Sequence, residues 1–251
     1  MPASTVSPSE ATEPQRYFAT THWSVVLTAG QSNPSRANLA LEELCQTYWY
    51  PLYAYVRRRG YSAHDAQDLT QGFFACLLER QSLANADPHK GRFRSFMLGA
   101  MNYFLASEGA KLQTQKRGGG HQMLPLDLAA AEQRFDLESA DHAAPDNAFD
   151  KEWATALLDK VLSQLEQDYR REQKIQLFDT LKQTLAGARE SQPYATLAAQ
   201  LNMNEGAVKT AVHRLRKRYR ELLQAEIANT VTSPEEVKTE MSYLFKVMAD
   251  R

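Results

Sequence analysis

The fold of this chain is decided by three consecutive stretches: YATLAAQL (194–201), NMN (202–204) and EGAVKTAVHRLRKRYR (205–220). Apolar residues recur at helical spacing in the first and third stretches. This spacing predicts a short helix followed by a longer one that runs from Glu205 to about residue 224. The polar residues between them predict a tight turn. Lengths and spacing of this kind are typical of a helix-turn-helix.

The second of these helices concentrates positive charge. Between residues 209 and 220 there is no acid, and six residues are basic: Lys209, Arg214, Arg216, Lys217, Arg218 and Arg220. An apolar stripe that includes Val208, Val212 and Leu215 must face a core. Helical geometry therefore turns another set outward: Lys209, Thr210, His213, Arg214 and Lys217, with Gly206 at the exposed start.

This outward surface suits the major groove of duplex DNA. We expect Arg216, Arg218 and Arg220 to contact phosphates, while Arg214 and Lys217 are placed to reach base edges. The alternative is a solvated basic helix face that has no ligand. We favour DNA binding because the charge coincides with a complete helix-turn-helix pattern.

The rest of the sequence is also helical in its periodicity. Before residue 117, apolar residues follow a helical spacing in three segments: 41–56, 63–77 and 93–105. Pro51 interrupts the first, so we expect a kink or a restart there and a stop at Gly60. Ser62, with Asp65 three residues later, predicts the cap of the second helix. Since no alternating run indicates a strand, we predict an all-α protein.

The predicted organisation is two helical domains joined by an acidic linker and followed by an amphipathic C-terminal helix. Residues 124–152 contain eight acids and two bases, a net charge of −6, which indicates a linker. Ser233, Pro234 and Glu236 are suitable cap and first-turn residues for the last helix. The expected parts are a disordered tail (1–16), a first helical domain (17–117), the acidic linker (118–148), a helix-turn-helix domain (149–225) and a C-terminal helical extension (226–251).

The overall composition bears on partners and location. The chain has 251 residues, with 29 Lys and Arg against 30 Asp and Glu, so nucleic-acid binding must rest on a local patch. No apolar run approaches the roughly 20 residues of a membrane span, and the first residues lack the order of a signal peptide. We therefore expect a cytoplasmic protein with no membrane partner.

No motif in the sequence predicts catalysis. The six histidines show no HxxxH or HExxH spacing, and no glycine-rich phosphate motif follows a predicted strand. The two cysteines, Cys45 and Cys76, predict neither a disulfide framework nor a zinc site. We expect a protein that is not an enzyme and has no cofactor or metal.

A second basic cluster lies in the first half of the chain: Arg92, Arg94, Tyr103, Lys111, Lys116 and Arg117. Interleaved aromatic and basic side chains can stack on the bases of a single DNA strand and neutralise its phosphates. Core packing with a basic rim explains the same residues equally well, so both interpretations stay open.

Two blocks of the sequence together are similar to a known family. The segments LCQTYWYPLYAYVRRRG (44–60) and DAQDLTQ (65–71) form the first block, and residues 194–220 form the second. In content and order they resemble extracytoplasmic-function sigma factors of the sigma-70 family. The start of the second block, Gly206-x-Val208-Lys209, and the basic ladder after it are characteristic of this group.

The resemblance implies a function and a set of contacts. The chain would be a sigma factor that binds core RNA polymerase and promoter DNA, with an anti-sigma factor or other regulator as a further partner. The implied polymerase-binding residues are Asp68, Gln71, Phe74 and Leu78. The melted minus-ten strand would contact Arg92, Arg94, Asn102, Tyr103, Ser107 and Lys111. The minus-thirty-five element would contact the outward set that begins at Gly206.

Some residues depart from the pattern of the family. Gly72 stands where an acid is usual, Tyr103 and Gly109 are also unusual, and a glycine inside a helix costs about 1 kcal/mol. Two alternatives therefore remain: a helix-turn-helix transcription regulator that no longer engages core polymerase, and a protein-interaction adaptor. We further expect the acidic linker to fold over the basic helix and mask it.

Overall fold

A computed structural model describes residues 34–79, 92–112, 128–138, 144–185 and 193–249. In these ranges the chain is helical and contains no strand, which confirms the all-α prediction. The helices are α1 (Pro34–Arg58), α2 (Ala63–Glu79), α3 (Phe93–Leu112), α4 (Leu128–Glu138), α5 (Pro145–Arg171), α6 (Ile175–Leu181) with a 3₁₀ turn (Lys182–Leu185), α7 (Tyr194–Leu201), α8 (Glu205–Ala228) and α9 (Pro234–Ala249). The predicted tail 1–16 and the basic residues Lys116 and Arg117 lie outside the described residues.

Local sequence signals account for the boundary between α1 and α2. Gly60 adopts a φ of +92° just after α1, a conformation that glycine tolerates at no steric cost. The Ser62 hydroxyl accepts a hydrogen bond from the Asp65 backbone N–H at 3.1 Å and donates to its carboxylate at 2.7 Å. The stop and the cap are therefore confirmed.

The predicted restart at Pro51 is not present. Helix α1 continues through the proline to Arg58. All residues from Tyr50 to Val56 are buried, so packing outweighs the backbone hydrogen bond that proline cannot make. Gly109 likewise lies inside α3 and does not end it.

Two clusters of buried residues hold the helices together. The first contains residues of α1 to α5 and of the C-terminal half of α8, together with Leu244 of α9. Trp153 of α5 is fully buried in it, and the Tyr48 and Phe93 rings meet edge to face at 4.9 Å. The second cluster joins α5, α6, α7 and α8 through residues such as Leu165 and Val212.

Helices α5 and α8 each belong to both clusters, and this changes the predicted domain boundaries. The boundary expected between residues 148 and 149 falls inside α5, whose residues Phe149 to Val161 pack in the first cluster. The boundary expected between 225 and 226 falls inside α8. Two continuous helices thus connect the regions that the sequence assigned to separate domains.

The described part of the acidic linker packs against α1. Ala131 and Phe135 of α4 are buried in the first cluster, and the Arg57 guanidinium donates to the Glu132 carboxylate at 2.8 Å. Desolvation would raise the pKa of Glu132, but hydrogen bonds from Tyr53 and Arg57 hold it below its ordinary value. Glu132, one of the three acids of α4, is thus engaged by α1, which contradicts the expectation that it masks the basic helix.

Candidate nucleic-acid interface

A three-residue turn joins α7 to α8. Asn202 adopts the left-handed conformation (φ 52°, ψ 43°) that ends α7, and the Met203 N–H donates to the Ala198 carbonyl at 3.0 Å. The Asn204 side chain then caps α8 by accepting from the Ala207 N–H at 2.8 Å. Asparagine suits both positions because its short amide tolerates the left-handed region and caps helices.

The outer side of α8 is an exposed basic surface, which we call the basic face: Lys209, Thr210, His213, Arg214 and Lys217. On the opposite side Val208, Val212 and Leu215 are buried in the second cluster. The helix therefore has the orientation that its apolar stripe predicts. Its outward cations are accessible to a ligand.

Intramolecular contacts of the basic face are few and weak. The Lys217 ammonium lies 3.9 Å from the Glu221 carboxylate, and the Lys209 ammonium lies 6.0 Å from the centre of the Tyr194 ring. The Thr210 hydroxyl donates to the Gly206 carbonyl within the same helix. An anion at this surface would thus compete with little that already neutralises it.

Arg216 and Arg218 differ from the prediction, because both are tied to neighbouring elements. Arg216 donates through Nε and Nη2 to the Thr184 carbonyl at 3.2 and 2.7 Å. Arg218 donates through the same two atoms to Asp168 Oδ2 at 3.1 and 2.7 Å. These arginines anchor α8 to the 3₁₀ turn and to α5. Arg220 is exposed, and no such bond ties it to the described residues.

In the described arrangement Arg94 is not part of an exposed surface, in contrast to the prediction that it contacts a DNA strand. Its side chain is 8% exposed. It donates from Nε to Glu240 of α9 at 3.0 Å and forms an ion pair with Asp150 of α5. Burial would lower the pKa of Arg94, but the carboxylates of Glu240 and Asp150 raise it. Arg92 lies beside them, with Nη1 2.9 Å from Glu240 Oε2.

Of the other residues assigned to the minus-ten strand, Asn102 lines an open cleft. Asn102 Oδ1 accepts from the Tyr55 hydroxyl at 2.7 Å and from Arg59 Nη1 at 2.6 Å. These three residues, with Pro145 and Asp146, line a cleft of about 610 Å³. Tyr103 is 79% exposed beside it. Ser107 instead donates its hydroxyl to the Phe104 carbonyl, and the Lys111 side chain lies outside the described residues.

The residues assigned to polymerase binding lie on α2 and divide by burial. Asp68 is exposed, with His64 Nε2 3.7 Å from its carboxylate, and Gln71 is half-buried. Phe74 is fully buried in the first cluster, so its assignment to a binding surface is wrong. The Leu78 side chain lies outside the described residues. Gly72 faces α3, where a Cβ would make ordinary van der Waals contact with the Phe104 ring at 3.4 Å.

Sequence reasoning missed the acids that engage the arginines. Glu240 is the clearest case, because it is completely buried although glutamate favours solvent. A signal was present: Glu240 lies three residues after Val237 and four before Leu244, within the apolar stripe of α9. Asp168 and Thr184 carry no comparable signal, since their roles depend on how α8 packs.

No protein-family model, curated protein or solved structure matches this chain. Within the described ranges, no helix is both long and apolar enough to cross a membrane.

Proposed function

We propose that this chain is a sigma factor of the extracytoplasmic-function type, which binds core RNA polymerase in the cytoplasm and directs it to promoters. The basic face would lie in the major groove of the upstream promoter element. The exposed part of α2 around Asp68 would bind the polymerase, and the cleft beside Tyr103 would receive the melted DNA strand. The chain would select the promoter, and the polymerase would supply the catalysis.

The observation that carries this proposal is the geometry of α7 and α8. A tight turn sets a short helix against a longer one, and the outer side of the longer helix presents five exposed polar or cationic side chains that have no strong partner among the described residues. Such a surface is complementary to duplex DNA, where phosphate contacts supply most of the affinity and base contacts supply sequence preference.

The decisive experiment reconstitutes the chain with core RNA polymerase on a library of bacterial genomic fragments. We expect the two to co-elute and to produce discrete run-off transcripts. Arg214→Ala should lose transcripts while it still co-elutes, and Lys182→Ala, a change to an exposed lysine outside the basic face, should behave as the wild type. Absence of co-elution together with absence of promoter-dependent transcripts would contradict the proposal.

One observation favours a second candidate, a transcription regulator that binds duplex DNA without polymerase. Arg92 and Arg94 are engaged by Glu240 and Asp150 in the described arrangement, whereas the basic face is open. A gel shift on duplex DNA in the absence of polymerase distinguishes the two functions. A stand-alone regulator binds tightly and sequence-specifically by itself, whereas a sigma factor needs the polymerase for tight specific binding.

A further inference from the structure

The C-terminal helix places one carboxylate against two arginines: Arg92, just before α3, and Arg94, in its first turn. Glu240 is completely buried, with Oε1 3.0 Å from Arg94 Nε and Oε2 2.9 Å from Arg92 Nη1. The second oxygen receives no aligned hydrogen bond from the described residues, so Arg92 holds it mainly by charge. These are the two arginines that the resemblance assigns to the melted DNA strand.

The surroundings of Arg94 complete its neutralisation. Asp150 pairs with it, and its guanidinium lies 5.0 Å from the Trp153 ring and 4.3 Å from the Tyr243 ring. Tyr243, like Glu240, belongs to α9. A DNA phosphate can therefore reach this guanidinium only after α9 has moved away.

The attachment of α9 is limited enough to be reversible. Among its residues only Glu240 and Leu244 are fully buried. The connector before it is fixed to the first turn of α3 by the Phe93 N–H, which donates to the Thr230 carbonyl at 2.9 Å. Val237, Met241, Tyr243 and Val247 pack against the first cluster but stay partly exposed, so opening of α9 exposes less apolar surface, and requires less free energy, than global unfolding. The connector would keep a released α9 close to its docking site.

We propose that α9 is an autoinhibitory latch, in which Glu240 occupies Arg92 and Arg94 and competes with a single DNA strand for them. This inference rests on the proposed function. A strand that binds these arginines gains two cations only when α9 is released, so strand binding and α9 docking oppose each other. By linkage, each must weaken the other by the same factor.

The test compares Glu240→Gln with the wild type and with Glu235→Gln, which removes an exposed carboxylate from the same helix. Binding of a fluorescent single-stranded oligonucleotide to the full chain is measured by anisotropy. Glu240→Gln should raise the affinity about tenfold, a usual size for coupling between two sites. It should also steepen the salt dependence by about 0.7 in slope per added phosphate contact. Glu235→Gln should leave both unchanged.

A second measurement uses the wild-type chain and needs no variant. Hydrogen exchange of the α9 amides should speed up when the oligonucleotide is added, because the bound strand displaces the helix. Circular dichroism tests whether Glu240→Gln is folded. If this variant is unfolded, Glu240→Asp takes its place, because it keeps the negative charge but withdraws it from Arg92.

The outcomes separate the latch from the proposed function. A folded Glu240 variant with wild-type strand affinity, or α9 amides that slow or do not change on binding, would overturn the latch. Binding of duplex DNA is measured in parallel with the double substitution Lys209→Ala and Arg214→Ala. Duplex binding that depends on these two residues, without any gain from Glu240→Gln, contradicts the latch alone. Failure of the proposed function is read separately, as absence of co-elution with core polymerase and of promoter-dependent transcripts in the reconstitution.

Discussion

Arg94 and Arg214 each lie near other basic residues in the sequence, and they end in opposite environments. Arg214 is exposed on the basic face, whereas Arg94 is 8% exposed and paired. The acids that engage Arg94 are Asp150 and Glu240, which lie 56 and 146 positions further along the sequence. Local charge density therefore does not reveal whether an arginine is available to a ligand; distant acids decide that.

The largest expected effect on stability comes from removing Arg94 from its buried ion pairs. Arg94→Ala leaves Asp150 and Glu240 buried without their shared partner, and removal of one member of a buried ion pair costs about 3–5 kcal/mol. Arg214→Ala, a surface change, should stay within about 0.5 kcal/mol of the wild type. Urea unfolding of both variants measures the difference. Equal losses of stability would contradict the contrast between the two regions.

The next effect concerns the contacts that the exposed side of α8 makes with DNA bases and phosphates. Arg214→Ala should cost roughly 1–3 kcal/mol of binding free energy at one base position. Arg220→Ala should instead weaken binding uniformly across sequences, because a phosphate contact carries no sequence information. Competition binding on a panel of single-base duplex variants measures both changes. A uniform loss from both would mean that Arg214 does not face the bases.

The exposure of the basic face could be predicted from the sequence because its determinants are local. The apolar stripe of Val208, Val212 and Leu215 fixes the rotation of α8, and Asn202 and Asn204 are suitable turn and cap residues. Burial of Phe74 depends on how α2 packs in the first cluster, and burial of Arg94 depends on how α3, α5 and α9 pack against one another. The helical period of a single segment does not contain this information. The continuous path of α5 through the predicted boundary has the same origin, since Phe149 and Trp153 find their partners on α1 and α3.

Smaller effects should follow from the anchors of α8. Arg216→Ala removes both hydrogen bonds to the Thr184 carbonyl and should lower the free energy of unfolding by about 1 kcal/mol. Thermal unfolding measures this change.

Asp168→Asn should release Arg218 to the solvent and raise duplex affinity by no more than about fivefold, since exposed ion pairs contribute about 0–1 kcal/mol. Duplex titration measures this change. A large loss of duplex affinity in Asp168→Asn would show that the Arg218 anchor orients the basic face.

The smallest effect is a pH dependence at the junction of α1 and α4. The pKa of Glu132 is lowered in the folded chain, so its contribution to stability is complete above about pH 4.3, the ordinary value of glutamate. The contribution is lost as the pH falls through the lower folded pKa. The stability difference between wild type and Glu132→Gln should therefore shrink on acidification. A constant stability difference for Glu132→Gln across the acidic range would contradict the assignment.

The most direct test of the central claim is the salt dependence of duplex DNA binding by the full chain between about 50 and 200 mM salt. The claim is that the basic face of α8 lies along duplex DNA. A triple substitution of Lys209, Arg214 and Lys217 by Ala should lower the duplex affinity across this range, whereas Arg220→Ala, which removes a phosphate contact, should flatten the slope of log K against log salt by about 0.9. A triple variant with the wild-type affinity would contradict the claim.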